Sequence, residues 1–143
     1  MKRILYVDKN PEDYISPDNY RRHTGREEHI LDALKKNHNV DFVYGLHSKE
    51  VDIELEKNHF DLFLTHLPYH PKDFTYESSL ERLKDLIKRN NQIKVVVYTG
   101  ADTRTVSDKQ LKEIGVLAII RKKLDDKFTD ALRLRRTLEK ILR

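Results

Sequence analysis

The stretch FDLFLTHLPYHP, Phe60 to Pro71, runs as an apolar strand into a histidine and then a proline corner. In an open α/β sheet the carboxyl end of a central strand is where ligands and reacting groups are placed, so His66 is the first residue whose chemistry needs a reading. Imidazole is a nucleophile, a proton carrier near neutral pH and a metal ligand. His70 lies four residues on, but the intervening Leu67, Pro68 and Tyr69 argue for a loop instead of the shared helix face that a zinc pair at that spacing needs. With His59 across the strand, a metal site on these three is disfavoured, and no metal or other cofactor is expected. Asp8-Lys9 sets a carboxylate beside an ammonium at the end of the apolar run ILYV, and Thr99-Gly100 is a candidate anion-binding turn at the end of VVVY. There is no glycine-rich phosphate loop, no nucleophile elbow and no pair of catalytic carboxylates. The chain has no cysteine, which excludes disulfides, zinc-thiolate sites and thiol catalysis.

These residues stand at the ends of short apolar runs that alternate with longer amphipathic stretches, the pattern of a parallel sheet covered by helices on both faces. The runs Ile4 to Val7, Val40 to Tyr44, Phe60 to Leu64, Ile93 to Tyr98 and Val116 to Ile120 predict five strands. TGREEHILDALKKN opens with the capping-box pair Thr24 and Glu27, SLERLKDLIKRN carries Leu80, Leu83 and Leu86 at helical spacing, and SDKQLKEIG has the pair Ser107 and Gln110 with a stop at Gly115. SKEVDIELEKN is ambiguous, since Val51, Ile53 and Leu55 alternate while Val51 and Leu55 are also one helical turn apart. Its place between two strands predicts a helix. A last helix from about Asp126 puts Phe128, Ala131, Leu134, Leu138 and Ile141 on one side and Arg133, Arg136, Lys140 and Arg143 on the other.

At 143 residues and 38% hydrophobic residues the chain fits one domain, 1–143, with a single core. Its charge is high but mixed: 28 Lys and Arg against 24 Asp and Glu leave a net +4, a weak pointer to an acidic partner. No run of about 18 apolar residues and no signal peptide is visible. A soluble, cytoplasmic protein without a membrane partner is expected. One connection is out of proportion. KNPEDYISPDNYRRHTG, an insertion at about 10–25, exceeds the usual two to six residues of a βα loop. Its Tyr14, Ile15 and Tyr20 are expected to pack as a lid over the carboxyl ends of the strands.

The order ILYVD, FDLFLTHLP, VVVYTG and a glycine-led last strand followed by Lys122 resembles the receiver domain of bacterial response regulators over nearly the whole chain. The resemblance implies a flavodoxin-like α/β fold with strand order 2-1-3-4-5. In that family a carboxylate pair after the first strand binds Mg²⁺, an aspartate ending the third strand accepts a phosphoryl group, and a Thr or Ser and a Lys contact that group. Carried over, Asp8 matches the first acid, Lys9 stands at the second, and His66 at the phosphoacceptor. Thr99 matches the hydroxyl residue and Lys122 the lysine, while Lys123 replaces the proline that usually follows and Ile119 stands at the aromatic switch position. The framework is kept and the chemistry is dismantled.

Physical chemistry leads the same way. Mg²⁺ wants oxygen ligands and an excess of negative charge, whereas Asp8 would face Lys9 and Lys122, either of which is expected to pair with it. Phosphoryl transfer needs an in-line nucleophile and a cation on the developing charge, and the second requirement is unmet. His66 reads as a space-filling polar residue in a retired pocket, with a phosphocarrier or a pH switch as alternatives. The leading function is a pseudo-receiver that is not an enzyme and acts through a protein partner or homodimer. The alternatives are a nucleic-acid-binding accessory protein using the basic last helix, or a His66-dependent phosphocarrier or enzyme. The expected partner surface joins Ser107 to Gly115 with the last helix, where Leu132 borders Arg133, Arg136, Lys140 and Arg143 and supplies an apolar contact flanked by steering charges. A solvated face is the plainer reading of the same stripe.

Overall fold

Ile4, Leu5, Tyr6 and Val7 are consecutive and all fully buried. A strand is buried on both faces only when a layer lies on each side of its sheet. In the computed structural model, which describes residues 1–9, 26–67, 76–100, 107–121 and 127–143, that strand is β1 (Lys2–Asp8) and lies inside a five-stranded parallel sheet. The others are β2 (His38–Tyr44), β3 (Leu62–His66), β4 (Lys94–Thr99) and β5 (Ala118–Arg121). Their order is β2-β1-β3-β4-β5, as in a flavodoxin-like fold. The helices are α1 (Arg26–Lys35), α2 (Lys49–Lys57), α3 (Tyr76–Arg89), α4 (Asp108–Glu113) and α5 (Lys127–Ile141).

Strand alternation divides the core. Ile4, Tyr6, Leu62, Leu64, Val96 and Tyr98 meet Ile30 and Leu34 of α1 and Leu134 and Leu138 of α5. Leu5, Val7, Phe63, Val95 and Val97 meet Val51 of α2, Leu83 and Leu86 of α3 and Leu111 of α4. Successive side chains point to opposite faces, so each central strand serves both layers.

The ambiguous segment is helical. Val51 is buried and Leu55 packs on the core, while Ile53 is 54% exposed, which suits a helix with one inward face and not a strand buried on one side. Ser48 caps it by accepting from the Glu50 amide at 3.1 Å, and Ser107 caps α4 by accepting from the Gln110 amide at 3.3 Å. Gly115 ends α4 with φ +110°. A Cβ there would stand 2.9 Å from Ile87 Cγ2 of α3, so glycine meets both a backbone and a packing demand. Thr24, the other expected cap, lies outside the described residues.

All five strands differ by one or two residues from the expected runs at one or both ends, and for β3 and β5 the later start has a visible cause. β3 starts at Leu62 and ends at His66, later than the apolar run from Phe60. The cause is Asp61, whose amide donates to the Arg3 carbonyl at 2.8 Å and whose carboxylate accepts from the Arg3 amide at 2.8 Å, closing the entry to the ladder. β5 starts at Ala118 because Val116 still donates to the Leu111 carbonyl of α4.

Candidate functional site

The carboxyl ends of the central strands carry buried polar residues. Asp8 ends β1 and His66 ends β3, each 5% exposed, and Thr65 of β3 and Thr99 at the end of β4 are fully buried. Parallel register brings these ends together, with Val7 opposite Thr65 and His66 opposite Tyr98. By alternation Asp8 and His66 continue the rows of Tyr6 and Leu64 toward α1 and α5, while Thr99 continues the row of Val97 toward the other layer. The structure thus brings Asp8, Lys9, His66 and Thr99 to one pole. Lys122 and Lys123, the insertion at 10–25 and His70 lie outside the described residues.

The surroundings of Asp8 are specific. Its Oδ2 accepts from the Tyr6 hydroxyl, its Oδ1 accepts from the Lys9 amide at 2.6 Å, and its carbonyl accepts from the Gly45 amide at 2.7 Å. Tyr6 is fully buried, and its ring lies 5.0 Å from that of Phe42. Burial, and then the adjacent Asp8 carboxylate, push the phenol well above its ordinary pKa, so it stays a donor at neutral pH. Thr65 Oγ1 donates to the His66 carbonyl at 2.9 Å. Tyr6 was not singled out from sequence. The available signal was its spacing of two from Asp8 on a strand, which puts both on one face.

No protein-family model and no curated protein matches the chain. Solved structures do. A response regulator receiver domain protein (CheY-like) from Methanospirillum hungatei JF-1 superposes with a TM-score of 0.69 at 19% identity, covering 99% of this chain and 94% of that one. HP1043, an orphan response regulator of H. pylori, gives 0.67 at 17% identity, covering 99% and 97%. The Salmonella typhimurium RcsB response regulator, in a structure concerned with DNA interaction, gives 0.67 at 12% identity, with 98% of this chain on 59% of that one. The chain has the receiver fold.

In the receiver fold this pole is where a family Mg²⁺ site would be sought, and the described residues do not fit one. Among the described residues the carboxylates at this pole reduce to Asp8, already engaged by Tyr6 and the Lys9 amide, with an ammonium side chain at Lys9 and an imidazole at His66. Among the described residues no group of three His, Cys, Asp or Glu is placed to hold a metal ion. His59 is at the opposite end of β3, in a cleft of about 240 Å³ with Asn58, Arg89 and Asn91, so it cannot join His66.

The second surface of interest on this receiver fold joins α4, β5 and α5. Leu132 is 41% exposed, and Arg136, Lys140 and Arg143 are exposed beside it. Arg133 departs from the expected outward stripe. It is half-buried, and its guanidinium donates to the Arg121 carbonyl at the end of β5. Arg121 in turn forms an ion pair with Asp108 of α4. Arg133 therefore ties α5 to the sheet and drops out of the exposed stripe, which is left to the other three. Among the described residues no helix is long and apolar enough to cross a membrane.

Proposed function

We propose that this protein is a cytoplasmic pseudo-receiver, a signalling module that does not accept phosphate in this pocket, catalyses nothing there and acts through contact with a protein partner or a second copy of itself. The observation that carries the reading is the pairing of an intact receiver fold with His66 at the carboxyl end of β3 and Lys9 after Asp8. A histidine at that strand end removes the acceptor carboxylate, and a lysine removes half of the charge that would hold a hard cation. Output through α4, β5 and α5 is supported by an exposed leucine rimmed by exposed cations.

The test is incubation with acetyl phosphate and Mg²⁺ followed by intact-mass measurement and site mapping. No stable phosphoryl gain on an aspartate is expected. A gain of one phosphoryl group on Asp8 would overturn the reading, and a gain on His66 would favour a phosphocarrier. The basic end of α5 supports a second reading, nucleic-acid binding, which a salt-dependent mobility shift of DNA or RNA would reveal.

A further inference from the structure

Lys9 and His66 where a receiver site would have acids explain the shortage of oxygen ligands among the described residues, but they leave open why a buried carboxylate is tolerated at Asp8. A carboxylate taken out of water needs donors or a counter-charge. At 5% exposure Asp8 has little solvent to turn to. A wholly buried phenol is in the complementary position, since its hydroxyl must find an acceptor inside the protein. Tyr6 and Asp8, two apart on β1, face the same layer and solve both problems at once.

We propose that Tyr6 is a positioning residue that holds the Asp8 carboxylate inward and thereby keeps divalent cations off this pole, so that Lys9 and His66 are not by themselves what closes it. The inference rests on the pseudo-receiver reading and adds a cause for it. With Oδ2 on the phenol and Oδ1 on the Lys9 amide, the carboxylate faces the interior of the α1 and α5 layer. A cation approaching from solvent would have to draw it away from both donors. The phenol belongs to the packed core and cannot follow, because Tyr6 is enclosed with Ile30, Leu34 and Tyr98. Acids restored at positions 9 and 66 would therefore bind metal poorly while Tyr6 remained.

The experiment titrates Mn²⁺ into the full chain and into two variants by calorimetry. One carries Lys9→Asp and His66→Asp; the other adds Tyr6→Phe. The triple variant is expected to bind Mn²⁺ at least roughly tenfold more tightly than the double, the scale of one hydrogen bond to a charged group. A triple variant no tighter than the double overturns the proposal, whether both bind or neither does. Should the triple variant fail to fold, the same Mn²⁺ titration on Lys9→Asp alone and on Lys9→Asp with Tyr6→Phe decides: the second is expected to bind more tightly, and equal affinity overturns the proposal. Failure here leaves the pseudo-receiver reading standing, because that reading falls only to phosphoryl transfer in the parent chain.

Discussion

The strand-end pole and the seam between α2 and α3 both concentrate polar side chains, and they treat them oppositely. In the seam Arg82 pairs with Asp52 through two bonds of 2.9 and 2.7 Å and also donates to the carbonyls of Leu46 and Ser48. Arg89 reaches both Asp52 and Asp85. Every charge in that set has an opposite partner, and the guanidinium closes the loop between β2 and α2 onto α3. At the pole Asp8, His66, Thr65 and Thr99 are more deeply buried, yet among the described residues the buried polar groups there are one carboxylate, an imidazole and two hydroxyls. A seam of matched charges reads as support for the fold. Polar groups buried at the strand ends of an α/β sheet read as a candidate site.

The comparison breaks most directly at Arg82. Arg82→Ala removes the bidentate pair and leaves two loop carbonyls without their donor, and it should lower the unfolding free energy by about 2–4 kcal/mol. Urea denaturation followed by circular dichroism measures it. A change below about 0.5 kcal/mol would place the seam among surface pairs that contribute little.

Acid tests the same seam. Hydrogen bonds from Arg82 hold the Asp52 carboxyl at about 2, below the usual 3.8 of an aspartate. The folded pKa is depressed, so this stabilisation is present above the unfolded value and is lost as pH falls from about 5 toward 2. It amounts to about 2 kcal/mol at most. Asp52→Asn should flatten that limb of a stability profile. His47, bonded to Ser79 Oγ at 3.0 Å, is pushed below its ordinary pKa by burial and then by Arg82. The unfolded chain then binds the extra proton, and this contribution is lost as pH falls through about 6.5. A profile of His47→Gln that matched the parent would contradict the assignment.

At the pole the effects should be smaller and coupled. Asp8→Ala leaves the buried Tyr6 hydroxyl without its acceptor and should cost about 1–3 kcal/mol. Adding Tyr6→Phe to Asp8→Ala should recover part of that loss, because an apolar pair has no unsatisfied group. Strict additivity of the two substitutions would mean that the hydrogen bond carries no coupling.

These contrasts also mark what could be read from sequence. Strands and helices follow from local periodicity and from the alternation of elements, which is why even the ambiguous 49–57 segment resolved as the helix its place between strands suggested, while the sheet order came only with the resemblance to receiver domains. Asp8, His66 and Thr99 were legible because each ends an apolar run. Tyr6 was hidden inside one, where an aromatic looks like core until its hydroxyl is given a partner. Arg82 escaped because its partners lie 30 to 36 residues away, a distance over which no periodicity speaks. Arg133 misled for a related reason: helical spacing puts it with Arg136 and Lys140, but only tertiary packing shows the carbonyl of Arg121 within its reach.

The smallest effect on stability should come from the surface given the functional role. Leu132 is 41% exposed, so Leu132→Asp removes little buried area and should change unfolding by no more than about 0.5 kcal/mol. Its effect on association should be far larger. An exposed apolar anchor beside cations loses its contact when it becomes a carboxylate, and the new charge draws on Arg136 and Lys140 where they would steer a partner. Size-exclusion chromatography with light scattering tests self-association, and pull-down from the native cell tests a heterologous partner. Arg136→Glu with Lys140→Glu should instead slow association and steepen no other property, with the parent's binding weakening as salt rises. If both variants associate as the parent does, the stripe is a solvated face and the output surface lies elsewhere on the fold. If Leu132→Asp unfolds the chain, the leucine belongs to the packing of α5 and the division between supporting and functional regions must be redrawn there.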